Sequence, residues 1–215
     1  NAIDQQTGAL IEPPEWIAGN KLPDWDTRNI RFHDPEGNNQ GQLHKLFTRG
    51  NLNASQRALF GANETEQTRV VNFLRGDRSN EQSEGGTLRT RTGILGDIVH
   101  TEPVFVGAPN PRAFVGRSFT GSNTYANFVN SHAGRRAMVY VGANDGMLHG
   151  FDATTGVEQY AFIPHQVMQN GLANLALPDY EHRFIVDGEL TQLEVYFSGN
   201  PGSGWKSVLV GSLGR

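Results

Sequence analysis

The sequence predicts a mainly β protein: the first blades of a partial β-propeller, preceded by an irregular, partly helical lead-in. Three observations predict it. Glycine and proline are frequent, 26 and 10 in 215 residues, so turns are many. Short β-branched and aromatic runs follow one another across Asp-Gly and Thr-Gly turns from Ala137 to Pro164. The pattern Val-x-Val-Gly also recurs, in "PVFVG" (103–107), "VYVGA" (139–143) and "VLVGS" (208–212). Val106 to Val141 is 35 residues and Val141 to Val210 is 69, close to double, as a propeller with loop insertions would give. The boundary falls near Gly93, where the period changes from helical to alternating. Residues 1–92 are the lead-in packed on the propeller, and 93–215 are its first blades.

In chain order, residues 1–52 are polar and broken by Pro13, Pro14, Pro23, Pro35 and the run 37–42, "GNNQGQ". Trp16, Trp25, Phe32, Leu43 and Phe47 are too far apart for one helix face, so an arm held down by aromatic anchors is expected. Residues 53–76 read as helical. Asn53 with Gln56 forms a variant capping box, Gly61 stops that turn, and Asn63 starts a second helix with Glu64 and Glu66 in its first turn. Val70, Phe73 and Leu74 share a face, and Gly76 ends the helix. Pro109 to Arg136, rich in Gly, Ser and Asn, is expected as a loop insertion. Residues 138–163 then form a three-stranded meander, with Asp145-Gly146 supplying positive φ at the first turn and Gly156 at the second. Propellers close with at least about four blades of roughly 40 residues. The residues from Gly93 on supply about three by that measure, and the sequence stops at "LVGSLGR" just after a strand, so a longer propeller is expected. Its unpaired strand edges would make the segment alone prone to associate. The absence of an initiating Met and of a signal peptide reads as a processed product or a fragment.

Composition excludes several classes. A net charge of −4 with no basic stripe argues against nucleic acid. No apolar run reaches the ~20 residues of a membrane span. Without cysteine there is no disulfide and no thiolate metal site. The seven histidines form no H-x-H or HExxH pattern, and His100 and His149 read as hydrogen-bonded structural residues beside strands. Asp145, Asp152 and Asp187 lie beside glycine or in turns, where a carboxylate bonds the local backbone. The stretch 199–207, "GNPGSGWKS", is one residue away from a phosphate-binding loop, but it leads into a strand, not a helix. Trp205 is expected to pack between blades instead. The candidate partner-binding site is Arg75-Gly76-Asp77, the tripeptide that integrins recognise. It competes with a helix-end reading, and receptor binding requires all three residues exposed on a projecting turn.

"LGDIVHTEPVFVG", "VYVGANDGMLHGFDATTG", "FIVDG" and "GWKSVLVGSLGR", in that order, resemble the C-terminal propeller of the PilY/PilC family of type IV pilus tip-associated adhesins. "VVNFLRGDRSNE" (70–81) is similar to the family's lead-in, and the likeness runs from about Trp16 to Arg215. It implies a modified quinoprotein-like propeller on a large exported protein at the outer membrane, cell surface or pilus tip of a Gram-negative bacterium. It also implies a non-enzymatic role in pilus assembly, in countering retraction and in surface attachment. Minor pilins or pilus tip proteins would be partners, and host-cell receptors further ones. The family's calcium loop would lie downstream, and no D-x-D-x-D-G run occurs here, so no cofactor or metal is expected in this segment. The alternatives are a quinone-dependent dehydrogenase-type propeller, which would need clustered cation ligands, and a periplasmic outer-membrane assembly scaffold.

Overall fold

The computed structural model describes residues 6–7, 13–35, 43–199 and 202–214; the polar run 37–42 lies outside them. Strands β4 (Met138–Ala143), β5 (Met147–Asp152) and β6 (Glu158–Ile163) form the antiparallel meander. Three residues, Asn144 to Gly146, join β4 to β5, and only Gly146 takes positive φ, at 87°. Asp145 was expected to share that conformation. A three-residue hairpin loop needs a single left-handed residue, and glycine takes it without a Cβ clash. At the next turn Asp152 accepts the N–H groups of Thr154 and Thr155, each at 2.9 Å. Gly156 follows at φ 73°, so close under Trp16 that a Cβ there would lie 2.4 Å from the indole.

The meander is the centre of a six-stranded sheet that three further strands complete. β3 (Val104–Val106) pairs antiparallel with β4. β1 (Ile30–His33) and β2 (His44–Leu46) come from the lead-in; β1 runs parallel to β6 and β2 antiparallel to β1. A separate hairpin, β7 (Leu190–Phe197) and β8 (Gly204–Gly211), makes a second sheet. Two expectations are corrected here. "PVFVG" and "VYVGA" are neighbouring strands of one sheet, so their 35-residue spacing spans an insertion and is no blade period. Correspondingly, the described strands after Gly93 are β3 joined to the meander in one sheet and the β7–β8 hairpin in another, two units where about three were expected.

One face of the large sheet is covered by helices. α1 (Ala54–Ala58) starts at Asn53, whose side chain accepts the Gln56 N–H while the Gln56 side chain accepts the Asn53 N–H, both at 2.9 Å. α2 (Glu64–Arg75) starts at Asn63, which accepts the Glu66 N–H at 3.0 Å. Val71, Phe73 and Leu74 of α2 pack with Ile30, Phe32, Phe47, Met147 and Ile163 in the main core. Helix α3 (Tyr125–Ser131) lies within the insertion, and α4 (His165–Gln169) follows β6. Tyr125, Phe128 and Trp205 form a second core with Phe114 and Tyr196, which fastens the insertion to the β7–β8 hairpin. Trp205 therefore packs beneath the insertion, and its Nε1–H donates to the Gly121 carbonyl at 3.0 Å. Arg135 bridges the two sheets: its guanidinium donates to the Gly107 carbonyl after β3 and to Glu194 of β7.

Candidate functional site

His149 points from β5 into the helix-covered side and is fully buried. Its Nδ1 lies 2.7 Å from Glu158 Oε1, and its Nε2 lies 3.1 Å from both Asp145 oxygens. Burial alone would lower the pKa of this ring. The Asp145 charge and hydrogen bond, then Glu158, outweigh burial and push it up to about 9. Asp145 is lowered although burial opposes this, because His149 and the Gly96 N–H stabilise its charge. Glu158 is lowered in the same sense, against burial, by Arg28 and then His149. Arg28 grips Glu158 with two bonds, Nε to Oε2 at 2.7 Å and Nη2 to Oε1 at 2.8 Å. An imidazolium donating from both nitrogens has no lone pair, so it neither abstracts a proton nor ligates a metal.

The network continues to the end of α2. Arg28 Nη1 donates to the Arg75 carbonyl at 2.8 Å, and Arg75 Nη2 returns the bond to the Arg28 carbonyl at 3.1 Å. The Arg75 guanidinium also donates to the carbonyls of Phe47 and Asp26. Gly76, at φ 120°, caps the helix, its N–H reaching the Asn72 and Phe73 carbonyls. Asp77 accepts the Ser79 N–H at 2.9 Å with its side chain. Arg75 and Gly76 are buried and Asp77 is half-buried. The partner-binding reading of Arg75, Gly76 and Asp77 needed a projecting turn. The geometry instead spends the guanidinium at the α2 end on three backbone carbonyls of the lead-in, two of them, of Arg28 and Phe47, on buried residues that need a donor.

A second set of contacts joins residues 97–100 to residues 182–187. Asp97 Oδ2 lies 2.9 Å from His182 Nε2, and Asp187 pairs with the His100 ring and accepts the His100 N–H at 2.9 Å. Phe184 stands between the two imidazoles, with ring centroids 5.1 Å from each. Asn144 ties the β4–β5 turn into this clasp, donating to Asp97 and accepting from the Ile185 N–H, both at 2.9 Å. A polar cavity of 390 Å³ opens beside it, lined by Thr92, Asp97, Asn144, Asp145, Tyr180 and His182. Both carboxylates facing it are already engaged, Asp145 by His149 and Asp97 by Asn144 and His182. Among the described residues no group of three or more His, Asp or Glu is arranged to hold a metal ion. No described helix is long and apolar enough to cross a membrane. In the stretch 199–207, Ser207 lies within β8, so no helix follows to cradle phosphate; Asn200 and Pro201 lie outside the described residues.

The model of the PilY1 beta-propeller domain matches residues 95–215. This chain belongs to the PilY1 β-propeller family. A type IV pilus biogenesis factor PilY1 homolog of Xylella fastidiosa, strain Temecula1, is 46% identical over 213 residues, 99% of this chain and 16% of the relative. Type IV pilus biogenesis factor PilY1 of Pseudomonas aeruginosa strain PAK is 41% identical over 180 residues, 79% of this chain and 15% of the relative. The protein of the same name from strain UCBPP-PA14 is 35% identical over 226 residues, 99% of this chain and 18% of the relative. The chain thus spans less than a fifth of the length of these PilY1 relatives, and all three matches cover more of it than residues 93–215, so each extends into the lead-in. No solved structure matches.

Arg28 and Glu158 of the network were not singled out from sequence. They are 130 residues apart, and the only local signal is an acid opening the strand "EQYAFI". Nor does the clasp leave a sequence pattern, since its four His and Asp residues lie on two irregular segments far apart in the chain.

Proposed function

We propose that this chain is part of a non-enzymatic type IV pilus biogenesis and adhesion protein. It is exported and works at the outer membrane, cell surface or pilus tip of a Gram-negative bacterium. There it supports pilus assembly or counters retraction by contacting minor pilins or pilus tip proteins, and it attaches the cell to surfaces, host-cell receptors included. The observation that carries this reading is the 46% identity over 99% of the chain to a relative named as a pilus biogenesis factor. The buried centre supports binding over catalysis, since every carboxylate around His149 already holds a partner. No cofactor is assigned to this segment.

The test is deletion of the gene in the encoding bacterium, with complementation by the full-length gene. Loss of surface pili, twitching and attachment on deletion, with recovery on complementation, is the expected result. Wild-type piliation and attachment in the deletion strain would overturn the proposal. Bound quinone with dye-linked alcohol oxidation by the purified full-length protein would overturn its non-enzymatic part.

A further inference from the structure

The insertion carries a one-sided charge pattern. From Pro103 to Asn144 the chain has no Asp or Glu, yet it holds Arg112, Arg117, Arg135 and Arg136, in a protein of net charge −4. Arg135 and Arg136 are paired, with Glu194 and Asp152. Arg112 and Arg117 are exposed, and among the described residues neither guanidinium has an ion pair or hydrogen bond. Between them stands Val115, 76% exposed, and Phe119 just beyond is 42% exposed.

This knuckle is presented on a built platform. The Asn110 side chain accepts the Arg112 N–H at 2.9 Å, and the Tyr125 hydroxyl donates to the Asn110 carbonyl at 2.9 Å. Phe114, directly below the apex, packs 4.8 Å from Tyr125 and 4.9 Å from Trp205 between ring centroids. Phe119 also leans on Trp205, at 5.9 Å. The apex itself is convex: Gly116 takes φ 73°, and a Cβ there would meet nothing within 4 Å. A convex tip with one exposed apolar side chain between two unpaired cations and another just beyond is the chemistry of interfacial anchoring. Apolar groups enter the acyl boundary while guanidinium groups meet headgroup phosphates.

We propose that the knuckle Arg112–Phe119 docks on an anionic lipid bilayer surface. An acidic protein surface would satisfy the arginines too. Among the described residues, however, no strand lies within 112–119 to offer a partner chain an edge, and a fluid surface yields around a convex valine where a folded one must carry a matching pocket.

The test uses the full-length protein that contains this chain, with vesicles of phosphatidylcholine alone or mixed with phosphatidylglycerol. Wild-type protein should cosediment with the anionic vesicles in a salt-sensitive manner and far less with the neutral ones. The double variant Arg112→Gln/Arg117→Gln should bind about thirty-fold more weakly, and Val115→Ser several-fold more weakly. Arg112→Lys/Arg117→Lys should retain binding, which separates lost charge from a damaged fold. Undiminished binding by the double Gln variant refutes the proposal, as does equal binding to neutral vesicles. Full competition by soluble polyglutamate, with Val115→Ser indistinguishable from wild type, would assign the knuckle to an acidic protein and also refute it.

Discussion

Raising the pH should unlock the centre of the sheet. His149 ordinarily would titrate near 6.5, and in the fold it is pushed up to about 9. A group whose folded pKa is raised contributes stability that is fully present below the unfolded value and is lost as pH climbs through the folded one. The displacement is worth about 3 kcal/mol. That contribution should be intact below about pH 6.5 and should disappear progressively through pH 9. Hydrogen exchange of the β5 and β6 amides reads this stability locally, whatever else the polypeptide contains. In wild-type protein, protection of these amides, corrected for the intrinsic pH effect on exchange, should fall across that window. His149→Gln should remove the pH dependence and start from a lower value. Glu158→Gln should cost more at neutral pH, about 3–5 kcal/mol, because it leaves the buried Arg28 and His149 short of a carboxylate. Protection that stays flat from pH 6.5 to 9.5 in the wild type, or a His149 imidazole that titrates near its ordinary value by NMR, would refute the reasoning.

Three further outcomes are expected. Gly76→Ala should destabilise the α2 end by about 1–3 kcal/mol, since φ is 120° and the new Cβ would sit 3.0 Å from Ile94 Cγ2; Asp77→Glu should leave both the melting curve and attachment to integrin-bearing cells unchanged, and loss of attachment alone would restore the receptor reading. Trp205→Ala should cost about 3–5 kcal/mol and expose the 109–136 insertion to proteolysis, measurable as new cleavage within it while β4–β6 stay protected. Asp97 and Asp187 are both lowered against the effect of burial, Asp97 by Asn144 and His182 and Asp187 by His100, so their support is present above about pH 4 and is lost as the pH falls through their folded values; proteolysis of residues 97–100 should rise in that acid range and in Asp187→Asn at neutral pH.

What sequence could and could not show divides along the range of the interactions. Asn53, Gln56, Asn63 and Gly76 act on backbone within a few residues, so caps and helix ends were legible from residue type alone. The meander was legible for the same reason, its turns being set by Gly146 and Gly156. β1 and β2 were not: "IRFH" and "HKL" are too short and too polar to signal a strand, and they become strands only because β6 offers an edge. The Val-x-Val-Gly repeat misled because strand composition reports burial on a pleated surface and carries no information on which strand is the neighbour. At Arg75 the tripeptide was visible while its environment was not, since the three carbonyls that hold the guanidinium belong to Asp26, Arg28 and Phe47.

The parallel seam between β1 and β6 has a consequence for how the chain is made. Arg28 and its partner Glu158 are 130 residues apart, and Ile30 pairs with Ala161 over a similar interval. At ordinary rates of synthesis that interval is on the order of ten seconds. Throughout it the first strand is present while its template is not, and a contact of such high sequence separation closes late and slowly. Arg28 can therefore reach its buried carboxylate only once Glu158, and with it β4 and β5, has been produced. Until then β1 has no parallel edge to join, and its backbone groups on that side stay open to water.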